Sequence, residues 1–193
     1  MSNIINPLEA IIAQASQLPK TNVADLYKKR FEGVGALNKT VILIDCSGSM
    51  ATVCYGSRKI DTLKEALTGQ KPGAILIAFS TGAKEIPNIE SVPDPSGSTE
   101  LHDGLRIAGY HKPRHTLVIS DGRPDDAKLA LFEANQITGT ISTLFIGNDD
   151  DKGAIAFMRE LAGCGCGVAS VCDLRRDGNK PQLRGQIKAL IPG

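Results

Sequence analysis

Apolar residues along this chain fall into two alternating rhythms. The first is a short unbroken run, Thr40-Val41-Ile42-Leu43-Ile44, rich in β-branched side chains. Such a run predicts a strand buried on both faces. Similar runs recur at residues 74–79, 116–120, 141–146 and 168–172. The second rhythm lies between them and repeats at helical spacing. Ile60, Leu63, Ala66 and Leu67 form one apolar stripe; Leu101, Leu105 and Ala108 form another. Ala127, Ala130, Leu131 and Ala134 make a third, and Ala154, Phe157, Met158, Leu161 and Ala162 a fourth. A last helix is predicted over residues 182–190, stopped by Pro192. The stretch 83–90 is polar and contains Pro87, which suits an edge strand running antiparallel to its neighbours.

Two further helical patterns precede the first strand. One carries Leu8, Ile11, Ile12 and Ala15 behind Asn6-Pro7 and ends at Pro19; the other carries Val23, Leu26, Tyr27 and Phe31. They predict a helical extension over residues 1–37 and a main domain over 38–193. Strands alternating with helices imply right-handed crossovers and a sheet covered on both faces. The expected fold is therefore α/β: a doubly wound, mostly parallel sheet of Rossmann-like type with one antiparallel edge strand.

Composition narrows the function classes. The 193 residues are 41% hydrophobic and 22% charged, a globular balance, and the formal net charge is +1. No global electrostatic case for nucleic acid or a membrane surface follows from that balance. Aromatics are 4% with no Trp, so aliphatic side chains and alanine must build the core. The cysteines (Cys46, Cys54, Cys164, Cys166, Cys172) are odd in number and lack a framework spacing, which suits reduced thiols. Cys164-Gly165-Cys166 with Cys172 has no fourth thiolate-site ligand nearby. The first residues lack a basic stretch before their apolar part and carry Glu9 and Gln14, so they read as a helix rather than a signal peptide. A cytoplasmic location is the expectation.

In a sheet of this kind ligands bind beyond the carboxyl ends of the strands, where strand order reverses. After the first strand comes Asp45-Cys46-Ser47-Gly48-Ser49-Met50. Before the helix at Leu101 comes Ser96-Gly97-Ser98-Thr99-Glu100, and after the strand at 116–120 comes Asp121-Gly122. All three segments belong on one rim. They supply two carboxylates (Asp45, Asp121) and three hydroxyls (Ser47, Ser49, Thr99). An all-oxygen set without His or Cys favours a hard divalent cation, Mg²⁺ first, with Mn²⁺ and Ca²⁺ as alternatives.

Asp45-x-Ser47-x-Ser49 with Met50, then Thr99, then Asp121-Gly122, resembles the metal-ion-dependent adhesion site of von Willebrand factor A and integrin I-like domains. The resemblance covers the chain from about Lys39 onward. It implies that Ser47, Ser49 and Thr99 ligate a cation directly and that Asp45 acts through water and its bonds to the serines. Asp121 would ligate directly or through water. It also implies a binding module rather than an enzyme, whose cation takes up a Glu or Asp of a partner protein. Small intracellular members work beside AAA-type ATPases or within multi-protein complexes. Gly97-Ser98 stands where the family more commonly has Gly-Gly.

Other readings compete with this one. The chain is alternatively a scaffold or assembly subunit whose metal is structural or vestigial, with Lys28-Lys29-Arg30 contributing to its contacts. A metal-dependent hydrolase is the weaker option: no Walker-type Gly-x-x-x-x-Gly-Lys occurs, and neither serine sits in Gly-x-Ser-x-Gly. Asp125 and Asp126 are expected to cap the following helix, and Asp149-Asp150-Asp151 to form a solvated helix start. His111 and His115 are expected at the surface.

Overall fold

The structure is a computed structural model that describes residues 39–70, 73–176 and 179–191. The predicted helical extension over 1–37 lies outside the described residues. From Lys39 the chain follows the predicted alternation closely. Strand β1 is Thr40–Asp45, followed by a 3-10 turn at Gly48–Ala51 and a small hairpin, β2 (Val53–Cys54) and β3 (Ser57–Arg58). Helix α1 (Lys59–Leu67), β4 (Ile75–Ser80) and β5 (Gly82–Ile86) come next. A second 3-10 turn at Ile89–Ser91 leads to α2 (Leu101–Tyr110), β6 (His115–Ser120), α3 (Ala127–Gln136) and β7 (Thr140–Phe145). Helix α4 (Lys152–Cys164), β8 (Ala169–Val171) and α5 (Asn179–Leu190) complete it.

Six strands form one sheet in the order β5-β4-β1-β6-β7-β8. All neighbours are parallel except β4 and β5, which pair antiparallel. The fold is thus α/β with a mixed, mostly parallel sheet and an antiparallel edge strand, as the apolar rhythm predicted. From β1 the chain moves outward to β4 and β5, then returns to the other side of β1 to lay down β6, β7 and β8. Strand order therefore reverses between β1 and β6, and the crevice beyond their carboxyl ends is the switch point.

Alternation along the strands divides the core in two. Ile42, Ile44, Leu117, Ile119 and Leu144 face one side, where Ile60 and Leu63 of α1 and Leu183 and Ile187 of α5 cover them. Val41, Leu43, Ile77, Phe79 and Val118 face the other, under Leu101 and Leu105 of α2, Ala130 of α3 and Phe157 and Leu161 of α4. Gly104 of α2 lies so near the sheet that a Cβ would come 2.6 Å from Leu43 Cδ2.

Two expectations need correction, and one element was not foreseen. The hairpin β2–β3 had no apolar alternation to announce it; its turn is made by Tyr55 and Gly56, both at positive φ. Helix α5 starts at Asn179, three residues before the predicted Gln182, because Pro181 is tolerated in a first turn where its missing N–H costs nothing. His115 is buried, not at the surface: it opens β6 in the middle of the sheet, and its Nε2 lies 3.1 Å from Ser142 Oγ on β7.

Candidate metal centre

Asp45 is the last residue of β1 and Asp121 the first after β6, so the two carboxylates flank the switch point. Between β1 and its turn, Asp45 Oδ1 accepts the Ser47 backbone N–H at 2.7 Å. Ser47 Oγ lies 3.1 Å from Ser49 Oγ, and Ser49 Oγ donates to Asp121 Oδ1 at 2.6 Å. Four of the five residues singled out from the sequence are therefore joined in one hydrogen-bonded chain. Burial is graded along it: Asp45 is fully buried, Ser47 nearly so, and Ser49 is exposed. Met50 explains why the turn holds this shape, since its fully buried side chain pins the 3-10 turn into the core beside α1.

Neither serine acts as a helix cap. Ser47 occupies the cap position of the 3-10 turn, yet its side chain makes no cap bond. The hydroxyls instead face each other and Asp121.

Thr99 arrives from a third loop, and the backbone shows how. Gly48 N–H donates to Gly97 O at 3.1 Å, and Ser96 N–H donates to Cys46 O at 2.9 Å, which ties residues 96–97 to the turn after β1. On the other side Thr99 N–H donates to Asp125 Oδ2 at 3.0 Å, while Asp125 N–H returns a bond to Thr99 O at 3.1 Å. The loop carrying Thr99 is thus stitched to both the β1 and the β6 loops. Gly97 is required here: its φ is +75°, and a Cβ would run into Thr81 Oγ1. Helix α2 begins with Glu100 at its cap position and no side-chain cap bond, so Thr99 does not serve as that cap.

The reciprocal bond corrects the expectation for Asp125. Asp126 alone caps α3, accepting from Leu129 N–H at 2.9 Å. Asp151 likewise caps α4 through Ala154 N–H. Asp149 instead pairs with Arg176.

Two participants were not foreseen. Ser120, the last residue of β6, donates from Oγ to Asp45 Oδ2 at 2.5 Å, so both oxygens of Asp45 are held. Its signal was present as a hydroxyl directly after the apolar run Leu117-Val118-Ile119 and next to Asp121. Lys59, the first residue of α1, places Nζ 2.6 Å from Asp121 Oδ2. The Asp121 side chain is fully buried and that of Lys59 only 14% exposed. Nothing in the pattern of a helix start announces that reach.

Electrostatics at the site follow from burial. Desolvation pushes the Asp45 carboxyl up to about 6, aided by the negative charge of Asp121, while the bonds from Ser120 and Ser47 pull the other way. Cys46, between the proposed ligands, turns into the core at 1% exposure, and burial pushes its thiol up to about 12. It is an inert packing residue.

No protein-family model matches this chain, and no curated protein matches it. What the site can do follows from its donors. Two carboxylates and two hydroxyls, linked at hydrogen-bond distances around the switch point, form an oxygen-only set of the kind hard divalent cations take. Asp45, held at both oxygens, is suited to orient its neighbours, and exposed Ser49 opens the set to solvent.

A second grouping lies at the start of α2, where ligand atoms of Glu100, His102 and Asp103 all fall within 4.8 Å of one another. Its carboxylates are already engaged. Glu100 Oε2 accepts the Gly82 N–H at 3.0 Å, and Asp103 pairs with Arg106 and stands 3.5 Å from His102 Nε2. None of the described helices is long and apolar enough to cross a membrane.

Proposed function

We propose that this chain is a von Willebrand factor A-like binding module in which Asp45, Ser47, Ser49, Thr99 and Asp121 hold a divalent cation, Mg²⁺ foremost, that engages an acidic residue of a partner protein. The observation that carries the reading is the chain of bonds from Asp45 through Ser47 and Ser49 to Asp121 at the point where strand order reverses. Five donors leave the octahedral shell of Mg²⁺ incomplete, so a bound cation would have a position open to a carboxylate from outside. The residues do the positioning. Asp45 orients Ser47 through its backbone, Ser120 fixes Asp45, and Met50 locks the turn that presents Ser49 to solvent.

Binding is favoured over hydrolysis by the placement of a potential base. His115 stands at the amino end of β6, with the whole strand between it and Ser120 at the rim. A serine nucleophile activated by histidine would need an imidazole within hydrogen-bond reach. The hydroxyls of Ser47 and Ser49 contact each other and Asp121.

Isothermal titration of the metal-free chain with Mg²⁺ tests the site. Asp45→Ala and Thr99→Ala should weaken binding by at least about tenfold while circular dichroism stays native. Undiminished Mg²⁺ affinity in both variants would defeat the assignment. A scaffold with a vestigial site would bind its partner equally well in EDTA.

A further inference from the structure

Lysine at the first position of a helix is electrostatically misplaced, because the helix amino terminus already carries partial positive charge. Helix α1 nevertheless opens with Arg58 at its cap position and Lys59 immediately inside. Arg58 is accounted for by Asp61 and Asp94 on the surface. Lys59 is not a surface charge: its side chain is 86% buried by virtue of its 14% exposure, and its ammonium lies 2.6 Å from the fully buried Asp121 carboxylate. Asp121 is thereby divided. Oδ2 belongs to the ammonium, while Oδ1 accepts from Ser49. A buried carboxylate with so close a cation has much of its charge already answered.

Within the proposed ligand side chains and the one ammonium bonded to them, the charges count as follows. Ionised Asp45 and Asp121 bring two negative charges, and Lys59 cancels one of them. A divalent cation added to that set leaves one positive charge in a partly desolvated place, which a single external carboxylate would neutralise. Without Lys59 the two aspartates alone would balance the cation, and no charge would remain to attract an acidic ligand.

We propose that Lys59 is a specificity-determining residue of the cation site: it keeps the affinity for the cation alone low and makes cation and external carboxylate bind cooperatively. The inference rests on the metal-site reading above. It assigns the ammonium a role that neither packing nor helix stability requires, since an uncharged side chain of similar length would fill the same space.

Titration of the metal-free 193-residue chain with Mn²⁺, with and without acetate, tests it. Lys59→Gln keeps a donor without the charge, Lys59→Met keeps only the volume, and Lys59→Arg keeps the charge. In the wild type, acetate should tighten Mn²⁺ binding. Lys59→Gln and Lys59→Met should bind Mn²⁺ about tenfold or more tightly than the wild type without acetate, and should lose most of the acetate effect, whereas Lys59→Arg should behave as the wild type. If the neutral variants bind Mn²⁺ no better than the wild type, or keep an acetate effect of the same size, the role of Lys59 is overturned. Asp45→Ala separates the two ideas. Loss of Mn²⁺ binding in that variant, with no gain in the Lys59 variants, leaves the site standing and removes only Lys59. Equal binding by wild type and Asp45→Ala removes both.

Discussion

Ser120→Ala removes one oxygen from the molecule, and the structure sets how much that oxygen matters and at which pH. Ser120 Oγ donates to Asp45 Oδ2 at 2.5 Å, and the two residues are 2% and 0% exposed, so water has no room to replace the lost donor. The other contacts of Oγ, with Gly122 N and O, are longer at 3.3 and 3.4 Å and contribute less. A hydrogen bond to an ionised acceptor stabilises by about 1.5–3 kcal/mol and one between neutral groups by about 1 kcal/mol. Asp45 carries a proton below about 6 and a charge above it. The folded chain thus holds this proton more tightly than the unfolded chain, whose aspartate titrates near the ordinary 3.8. Between these values the native state binds more protons, so the Asp45 contribution to stability falls as pH rises through the window. Ser120 opposes that fall by stabilising the charged form. The variant should therefore lose about 2 kcal/mol at about pH 8 but about 1 kcal/mol or less at about pH 5. Urea unfolding followed by circular dichroism, with EDTA present throughout, measures both values. A cost independent of pH, or one below about 0.5 kcal/mol at the higher pH, would show that Ser120 does not hold an ionised Asp45.

Two glycines should respond oppositely to the same change. At Gly139 a Cβ would strike the backbone of Pro113 and Arg114, so Gly139→Ala should lose about 2 kcal/mol or more, whereas Gly163 on α4 has nothing within 4 Å and Gly163→Ala should be neutral or stabilise by about 0.5–1 kcal/mol; equal urea midpoints for the two would contradict this packing. Asp173 is buried, and Arg175 holds its carboxyl down at about 2, so its contribution is present above the ordinary 3.8 and is lost as pH falls toward 2. Asp173→Asn should flatten the acid limb of the stability curve between about pH 4 and about pH 2; an unchanged limb would place the acid sensitivity elsewhere.

The parts of this fold legible in the sequence were those in which each residue's environment is set by its own strand or helix. The run at 40–44 announced β1 because its alternating side chains meet apolar neighbours on both faces, and Pro87 marked the stretch 83–90 as an edge strand because proline cannot donate to a ladder, although β5 itself stops at Ile86. Asp45, Ser47, Ser49 and Asp121 were legible for a related reason. Polar residues directly after buried strands must emerge on one rim when the strands are parallel. The hairpin β2–β3 was not legible, since it is short, only half-buried and governed by the turn at Tyr55 and Gly56. His115 misled because Pro113 argues against a helical face shared with His111, whereas register beside β7 decides its burial.

Ser120, Lys59 and Asp125 share a different kind of concealment. Each makes its decisive contact with a residue far away in the chain: Ser120 with Asp45, Lys59 with Asp121, Asp125 with Thr99. Local pattern assigns the three to a strand end, a helix start and a helix cap, and those positions are compatible with solvent in any other fold. Only strand order, with β1 and β6 adjacent and the α1 and α2 starts leaning over them, brings these groups to the rim. Donors of the proposed cation site can be singled out by type and spacing because hard-ion chemistry favours oxygens. The groups that set their charge and orientation obey no such restriction. A serine, a lysine or a backbone-anchoring aspartate serves equally, so the tuning of such a site is written in topology rather than in motif.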